Sequence, residues 1–283
     1  MAGADHPSRV GTLRGSELAL RVCSALVLVP LAIGAAYLGG WPFALLWGAA
    51  AIGVLWEWSS LVARNEQLSV LLAGGASLAL AVVLVATGHA LPALIVVAMG
   101  TLGAASVALA ERRLWVAGGI PYAGALAMGP IILRSDGEQG FLAVLFLFAV
   151  VWTTDIGAYF VGRALGGPKL VPWVSPNKTW AGAIGGLLAS VLVALVVAKM
   201  EALTSLFVLA MVAVVLSVLA QAGDLFESFL KRRFDAKDSS HLIPGHGGLM
   251  DRLDGFVTAS IAAAVIGLAR GGFEAPGRGL LVW

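Results

Sequence analysis

Long apolar runs, broken by short clusters of Gly, Pro and charged residues, fill the chain from about residue 22 onward. Nine of them fall near the length a helix needs to cross a bilayer, roughly 17 to 25 residues. They lie at about residues 22–38, 42–62, 68–88, 91–110, 114–133, 141–162, 179–198, 202–222 and 255–269, with the last only just long enough. The pattern predicts an all-α, polytopic integral membrane protein with about nine transmembrane helices. Pro30, Pro92, Pro121 and Pro130 fall inside these runs, where neighbouring helices can satisfy the freed backbone groups. Gly182, Gly185 and Gly186 read as a small-residue packing face in the seventh run. Residues 1–21 are polar and lack a small-residue cleavage site after a short apolar core, so they read as a retained tail. Residues 22–140 then form an N-terminal membrane region. Residues 141–283 form a C-terminal one, with polar loops at 163–178 and 223–254.

Composition agrees with the pattern. The chain is 59% hydrophobic and 12% charged, about half the charge of an ordinary soluble domain. A net charge of +2 gives no basis for a nucleic-acid partner. The single cysteine, Cys23, excludes an internal disulfide and a cysteine-based metal cluster. Lysine and arginine set the orientation. With the N-terminus in the cytoplasm, 14 of the 18 fall on the cytoplasmic side, leaving Arg134, Lys199, Arg270 and Arg278 outside. Both polar loops then face the cytoplasm across an inner membrane.

The chemistry concentrates in 223–254. This stretch carries six of the chain's 16 acidic residues: Asp224, Glu227, Asp235, Asp238, Asp251 and Asp254. Ionisable residues at a membrane edge are functional candidates, because half-burying them is expensive. Asp224, Glu227, Ser228 and Lys231 are spaced i, i+3, i+4 and i+7 and share one face if the eighth span continues as helix. Carboxylates beside a lysine suit a hard cation and an anionic oxygen ligand. A solvated helix end laced with ion pairs has the same spacing. The glycine turn at 244–248 lets backbone N–H groups approach a phosphate, although any glycine-rich turn looks similar. Asp251 and Asp254 come next, with Arg252 between them. Carboxylates flanking such a turn are what magnesium-assisted phosphoryl or nucleotidyl transfer requires.

The other loop adds Asp155, within the sixth span, and Arg163 two turns later. An unpaired Asp at the bilayer centre costs about 2.5–3.5 kcal/mol on insertion scales, so Asp155 is expected to face the bundle interior or a polar cavity. Ser175, Lys178 and Thr179 precede the seventh span. Ser175 and Thr179 can cap that helix, whose N-terminus is a natural anion site. Glu57, between two tryptophans near the end of the second span, can either snorkel to the interface or reach the site.

These residues carry a resemblance. Ser228-Phe229-Leu230-Lys231-Arg232, then Lys237-Asp238, then Ile243 through Gly248, then Asp251-Arg252-Leu253-Asp254 is similar to the signature of the phosphatidate cytidylyltransferases. Asp155 with Tyr159, Gly162-Arg163, the Ser-Pro-x-Lys-Thr-Trp element at 175–180 and Gln221 to Leu225 also match that family. Asn177 and Ala181 depart from it, standing where many relatives have Lys and Glu. The first four spans match only in hydropathy, apart from Glu57-Trp58.

The resemblance implies a nine-helix enzyme that transfers CMP from CTP to phosphatidate, with magnesium as cofactor and room for a second cation. It implies that Asp224 and Asp251 hold the metal. Lys231, Lys237, Arg252, Arg232 and Lys178 would neutralise phosphates. His246, Gly247 and Gly248 would line the phosphate turn, and Asp238 and Asp254 would orient cations. Asp155, Arg163, Ser175, Thr179 and Ser228 complete the expected substrate contacts. The partners are CTP, phosphatidate and membrane lipid, and a homodimer is left open. The Asp-x-x-Asp-Gly-x-x-Ala-Arg core of a CDP-alcohol phosphotransferase is absent. A polyprenol kinase, and an ion-coupled transporter using Asp155 and Glu57, stay as alternatives. Against the transporter, the polar residues crowd into one half instead of two symmetric ones.

Overall fold

In the computed structural model, the described residues are 9–63, 66–201, 205–240, 242–243 and 247–283, with side chains from residue 24. Among the described residues there are ten helices and one small hairpin: α1 Arg9–Leu38, α2 Gly40–Val62, α3 Gln67–Ala86, α4 Ala90–Val107, α5 Arg113–Arg134, α6 Gly140–Leu165, β1 Lys169–Val171, β2 Ser175–Thr179, α7 Trp180–Met200, α8 Leu206–Arg233, α9 Met250–Gly271 and α10 Pro276–Leu281. Among the described residues, eight helices are long and apolar enough to cross a membrane; the described apolar part of α1, Ser24–Leu38, is shorter. The protein is an all-α integral membrane protein. Eight qualifying helices stand against nine expected spans, and α1 is the difference.

Three boundaries differ from expectation for one reason: hydropathy reads the membrane-crossing part of a helix, not the helix. Helix α1 starts at Arg9, so most of the expected tail is helical. Helix α8 runs 28 residues to Arg233, about 42 Å at 1.5 Å per residue. Its last turns carry Asp224, Glu227 and Lys231, which therefore belong to a helix and not to a loop. Helix α9 starts at Met250 and is 22 residues long, so its first turns contain Asp251 and Asp254 and its length is ample. Pro92 is the third residue of α4, where its missing N–H has no intrahelical partner to lose.

Two close helix crossings fix the relative placement of α6 to α9. Gly157 and Gly162 on α6 face Gly182, Gly185 and Gly186 on α7. A Cβ on Gly186 would lie 2.5 Å from the Thr154 carbonyl oxygen, and one on Gly182 would lie 2.7 Å from that of Ala158. The expected glycine face is thus a backbone-to-backbone contact. It sets Asp155, Tyr159 and Arg163 of α6 beside the start of α7. A second crossing joins α8 to α9. A Cβ on Gly223 would lie 2.6 Å from the Asp254 carbonyl oxygen, and one on Gly255 2.9 Å from that of Ala220. Thr258 Oγ1 donates to the Leu219 carbonyl at 2.7 Å. Asp224 is therefore brought next to the first turns of α9.

The two ends of the bundle are pinned separately. At one end Arg134 donates through Nε to the Ala36 carbonyl at 2.6 Å. There the Asp136 carboxylate accepts from the backbone N–H groups of Glu138, Gln139 and Arg278 at 2.9, 3.0 and 2.7 Å. Burial alone would raise the Asp136 carboxyl, but the backbone donors of Gln139, Arg278 and Glu138, with the Arg278 charge, hold it below its ordinary value. At the other end Arg112 donates to the Val62 carbonyl at 2.9 Å. The β1–β2 hairpin and the connection from α8 to α9 share that end.

Candidate active site

A polar cavity of about 700 Å³ opens where α6, the hairpin, α8 and α9 meet. Four carboxylates stand on its wall: Asp155, Asp224, Asp251 and Asp254. Facing them are Arg163, Lys169, Lys178 and Arg252. Charges of both signs gathered in one partly enclosed site interact far more strongly than in open water.

Each side chain reaches the wall for a local reason. Thr179 caps α7, its Oγ1 accepting from Gly182 N at 3.1 Å, as expected. That cap ends strand β2 and aims the preceding Lys178 at Asp224, with which it forms an ion pair. Ser175 lies at the far end of the same strand, paired with Val171. It does not cap the helix, because the hairpin takes up the intervening residues. Arg163, one turn beyond Tyr159, donates to the Tyr159 hydroxyl at 2.9 Å.

Lys231 lies behind the wall, between Glu227 Oε2 at 2.7 Å and Asp251 Oδ1 at 2.5 Å. Asp251 Oδ2 accepts from Ser239 N at 3.1 Å, Ser239 Oγ at 2.9 Å and Gly248 N at 2.8 Å. One carboxylate thus joins α8, the connecting loop and α9. Gly247, at φ 82°, receives the Ile243 amide on its carbonyl at 2.9 Å. Here the glycine is required, because a side chain is strained at positive φ.

The cavity therefore gathers Asp155, Arg163, Lys178, Thr179, Asp224, Asp251, Arg252 and Asp254 of the expected set. Lys231 and Gly248 support it through Asp251. Ser175, Ser228, Arg232, Lys237 and Asp238 are not on its wall; Arg232, Lys237 and Asp238 are exposed. Spacing along a helix or loop says which residues are near in sequence, not which way the loop carries them. His246 lies outside the described residues. Sequence reasoning missed Lys169 on the wall, and it missed Ser239 and Ser240, which carry no sequence signal. It left Glu57 undecided.

A second cavity, of about 350 Å³, lies between α1, α2, α6 and α9. Leu28, Trp47, Val151, Trp152 and Phe256 make it apolar. Trp47 stacks on Phe256 with ring centroids 4.7 Å apart, and Phe148 on Trp152 at 5.1 Å. Asp155, Asp251, Arg252 and Asp254 line this cavity as well as the polar one. The two cavities thus meet at the same four charged residues.

The chain matches the family model described as "Cytidylyltransferase family" over residues 19–269. The chain belongs to the cytidylyltransferase family. Two curated relatives, the phosphatidate cytidylyltransferases of Brucella suis biovar 1 (strain 1330) and Brucella abortus (strain 2308), are each 42% identical over 255 residues. The match covers 89% of this chain and 94% of each relative. That of Staphylococcus epidermidis (strain ATCC 12228 / FDA PCI 1200) is 48% identical over 133 residues, 47% of this chain and 51% of the relative. The protein is accordingly an enzyme, a nucleotidyltransferase.

For this cytidylyltransferase the donor chemistry on the wall suits a hard divalent cation, which takes carboxylate and phosphate oxygens. Asp224 is half-buried and opens on the cavity with one lysine partner. Asp251 is held through Oδ1 by Lys231 and stands on the same cavity wall. Among the described residues, no three His, Cys, Asp or Glu side chains form a ready-made metal cage.

Proposed function

We propose that this enzyme transfers CMP from CTP to phosphatidate, giving CDP-diacylglycerol and pyrophosphate. The observation that carries the reading is the junction of the polar and apolar cavities at Asp155, Asp251, Arg252 and Asp254. A triphosphate needs the cationic chamber and two acyl chains need the apolar one. The reacting phosphates meet where the two share a wall. The names of the curated relatives support the same reading.

In the step itself a phosphate oxygen of phosphatidate bonds to the α-phosphorus of CTP. The bond from that phosphorus to the bridging oxygen of the β-phosphate breaks, and pyrophosphate leaves with the electron pair. The attacking oxygen is already ionised, so no strong general base is needed. Arg163, Lys169, Lys178 and Arg252 bind and orient the phosphates, and Lys231 holds Asp251 in place. Asp224 and Asp251 would hold magnesium, which when bound neutralises charge on the phosphate oxygens. Asp155 and Asp254 stand beside them on the shared wall. The excess of Lys and Arg at this end of the bundle supports a cytoplasmic orientation in an inner membrane, on the side where the nucleotide is.

The test is direct. Purified protein, labelled CTP, phosphatidate and magnesium should yield a labelled liponucleotide and pyrophosphate. A folded preparation that makes none over a full magnesium titration refutes the reading. Transfer of label from γ-phosphate-labelled CTP to a neutral polyprenol, with CDP released and no product from phosphatidate, would replace it with the kinase.

A further inference from the structure

Glu57 is fully buried on α2, yet it takes part in no ion pair among the described residues. Its carboxylate is within hydrogen-bond distance of four donors at the α8–α9 connection and the start of α9, one of them the Ser239 hydroxyl, whose single proton it shares with Asp251 Oδ2. Oε1 takes Ser240 Oγ at 2.5 Å and Leu249 N at 2.7 Å; Oε2 takes Ser239 Oγ at 3.0 Å and Met250 N at 2.6 Å. Ser239 and Ser240 lie near the middle of that connection, and Leu249 and Met250 lie at its exit. One side chain, about 180 residues away in sequence, thus ties the middle and the exit of the connection to α2.

Three features show the surroundings shaped to this contact. Helix α9 has no side-chain cap from its own N-cap residue; the Glu57 carboxylate takes the N–H groups of Leu249 and Met250 instead, at the end where a negative charge is favoured. Gly248 lies directly over the carboxylate: a Cβ there would be 2.8 and 2.9 Å from the two Glu57 oxygens and still closer to Ser239 Oγ. One turn before Glu57, Gly53 leaves room for Leu249, whose Cδ2 would be 2.9 Å from an added Cβ.

We infer that Glu57 is the positioning residue that fixes where α9 begins, and so holds Asp251 and Arg252 at the junction of the two cavities. Met250, whose N–H it receives, directly precedes them. Glu57 touches no cavity itself; it acts through the backbone. Its kinetic consequence rests on the nucleotidyl-transfer reading, whereas its effect on the loop does not.

The full-length protein tests this with Glu57→Gln, which keeps the shape but exchanges one acceptor oxygen for a donor facing buried donors. Turnover of folded Glu57→Gln should fall by at least about tenfold, with KM for CTP and for phosphatidate within about threefold, the pattern of an interaction used in the transition state. Ser240→Ala should move kcat the same way by about two- to fivefold, and the double variant should be no worse than Glu57→Gln alone, since the two act as one unit. Amide hydrogen exchange at Leu249 and Met250, independent of activity, should accelerate in both variants. Wild-type kcat with unchanged exchange in Glu57→Gln overturns the inference. If that variant does not fold, Ser240→Ala decides, and unchanged turnover and exchange there overturn it. If wild-type protein makes no liponucleotide, the functional reading fails and the exchange measurements still decide the role of Glu57.

Discussion

Single residues in this protein are read correctly only with their partners. Asp224 and Asp251 look alike in sequence, but Asp224 opens on the cavity with one lysine partner while Asp251 accepts from four donors. Asp224→Asn should therefore lower kcat by at least about 100-fold with the fold intact, because it removes transition-state charge stabilisation of several kcal/mol. Asp251→Asn should lower activity and stability together. Lys178→Ala should cut kcat/KM by at least about tenfold, as charge-assisted contacts to phosphate contribute roughly 1.5–3 kcal/mol. Arg233→Ala is the control: Arg233 lies over the Phe234 ring, away from the cavity, and its loss should leave turnover within about twofold. Steady-state kinetics on folded protein check all four. An Arg233→Ala defect as large as that of Lys178→Ala would mean that this end of the bundle acts as a general basic surface.

At the scale of elements, the glycine crossings convert helix contact into site geometry. The α6–α7 face was visible as Gly182, Gly185 and Gly186; its counterpart Gly157 gave no signal, and Gly162 only one as part of the family resemblance, because a packing face needs a partner to define it. Gly186 touches no cavity, yet a side chain there meets the α6 backbone. Gly186→Val should force α6 and α7 apart, cost about 1–3 kcal/mol of stability as overpacking does, and displace Asp155 from Lys178. A lower melting temperature with reduced kcat is expected, while Gly75→Ala, with open space around it, should do neither. Unchanged melting and turnover in Gly186→Val would show that the crossing is not needed.

For the whole molecule, the mechanism requires the cavity end to face the nucleotide. Leu242 is exposed at that end and Glu274 at the other. In a Cys23→Ala background, Leu242→Cys should react with an impermeant thiol reagent only after the cytoplasmic face is opened. Glu274→Cys should react on intact cells. Labelling of Leu242→Cys from outside would invert the orientation and remove the cytoplasmic site. Labelling of both from one side would mean that α9, the helix between them, does not cross the membrane. Ser239 and Gly277 look like equally good reporters in the sequence, but both are buried, Ser239 under Glu57 and Gly277 against Gly140.

Hydropathy alone determined the all-helical membrane class and the approximate position of the eight helices long enough to cross among the described residues, because water and lipid act on each segment independently of the others. The spacing of charged residues pointed to the C-terminal half for the candidate site, and the signature carried the family resemblance. Tertiary structure alone decided which charges share a wall. Asp155, Lys178, Asp224 and Asp254 converge from four elements, whereas Lys237 and Asp238, inside the signature, turn to solvent. It also decided the role of Glu57. A lone carboxylate in an apolar helix announces that something must satisfy it. Only the fold shows that its partners are two serines and two backbone amides from the other end of the chain. Burial and hydrogen-bond satisfaction depend on all neighbours at once, and a linear pattern holds only those along its own helix.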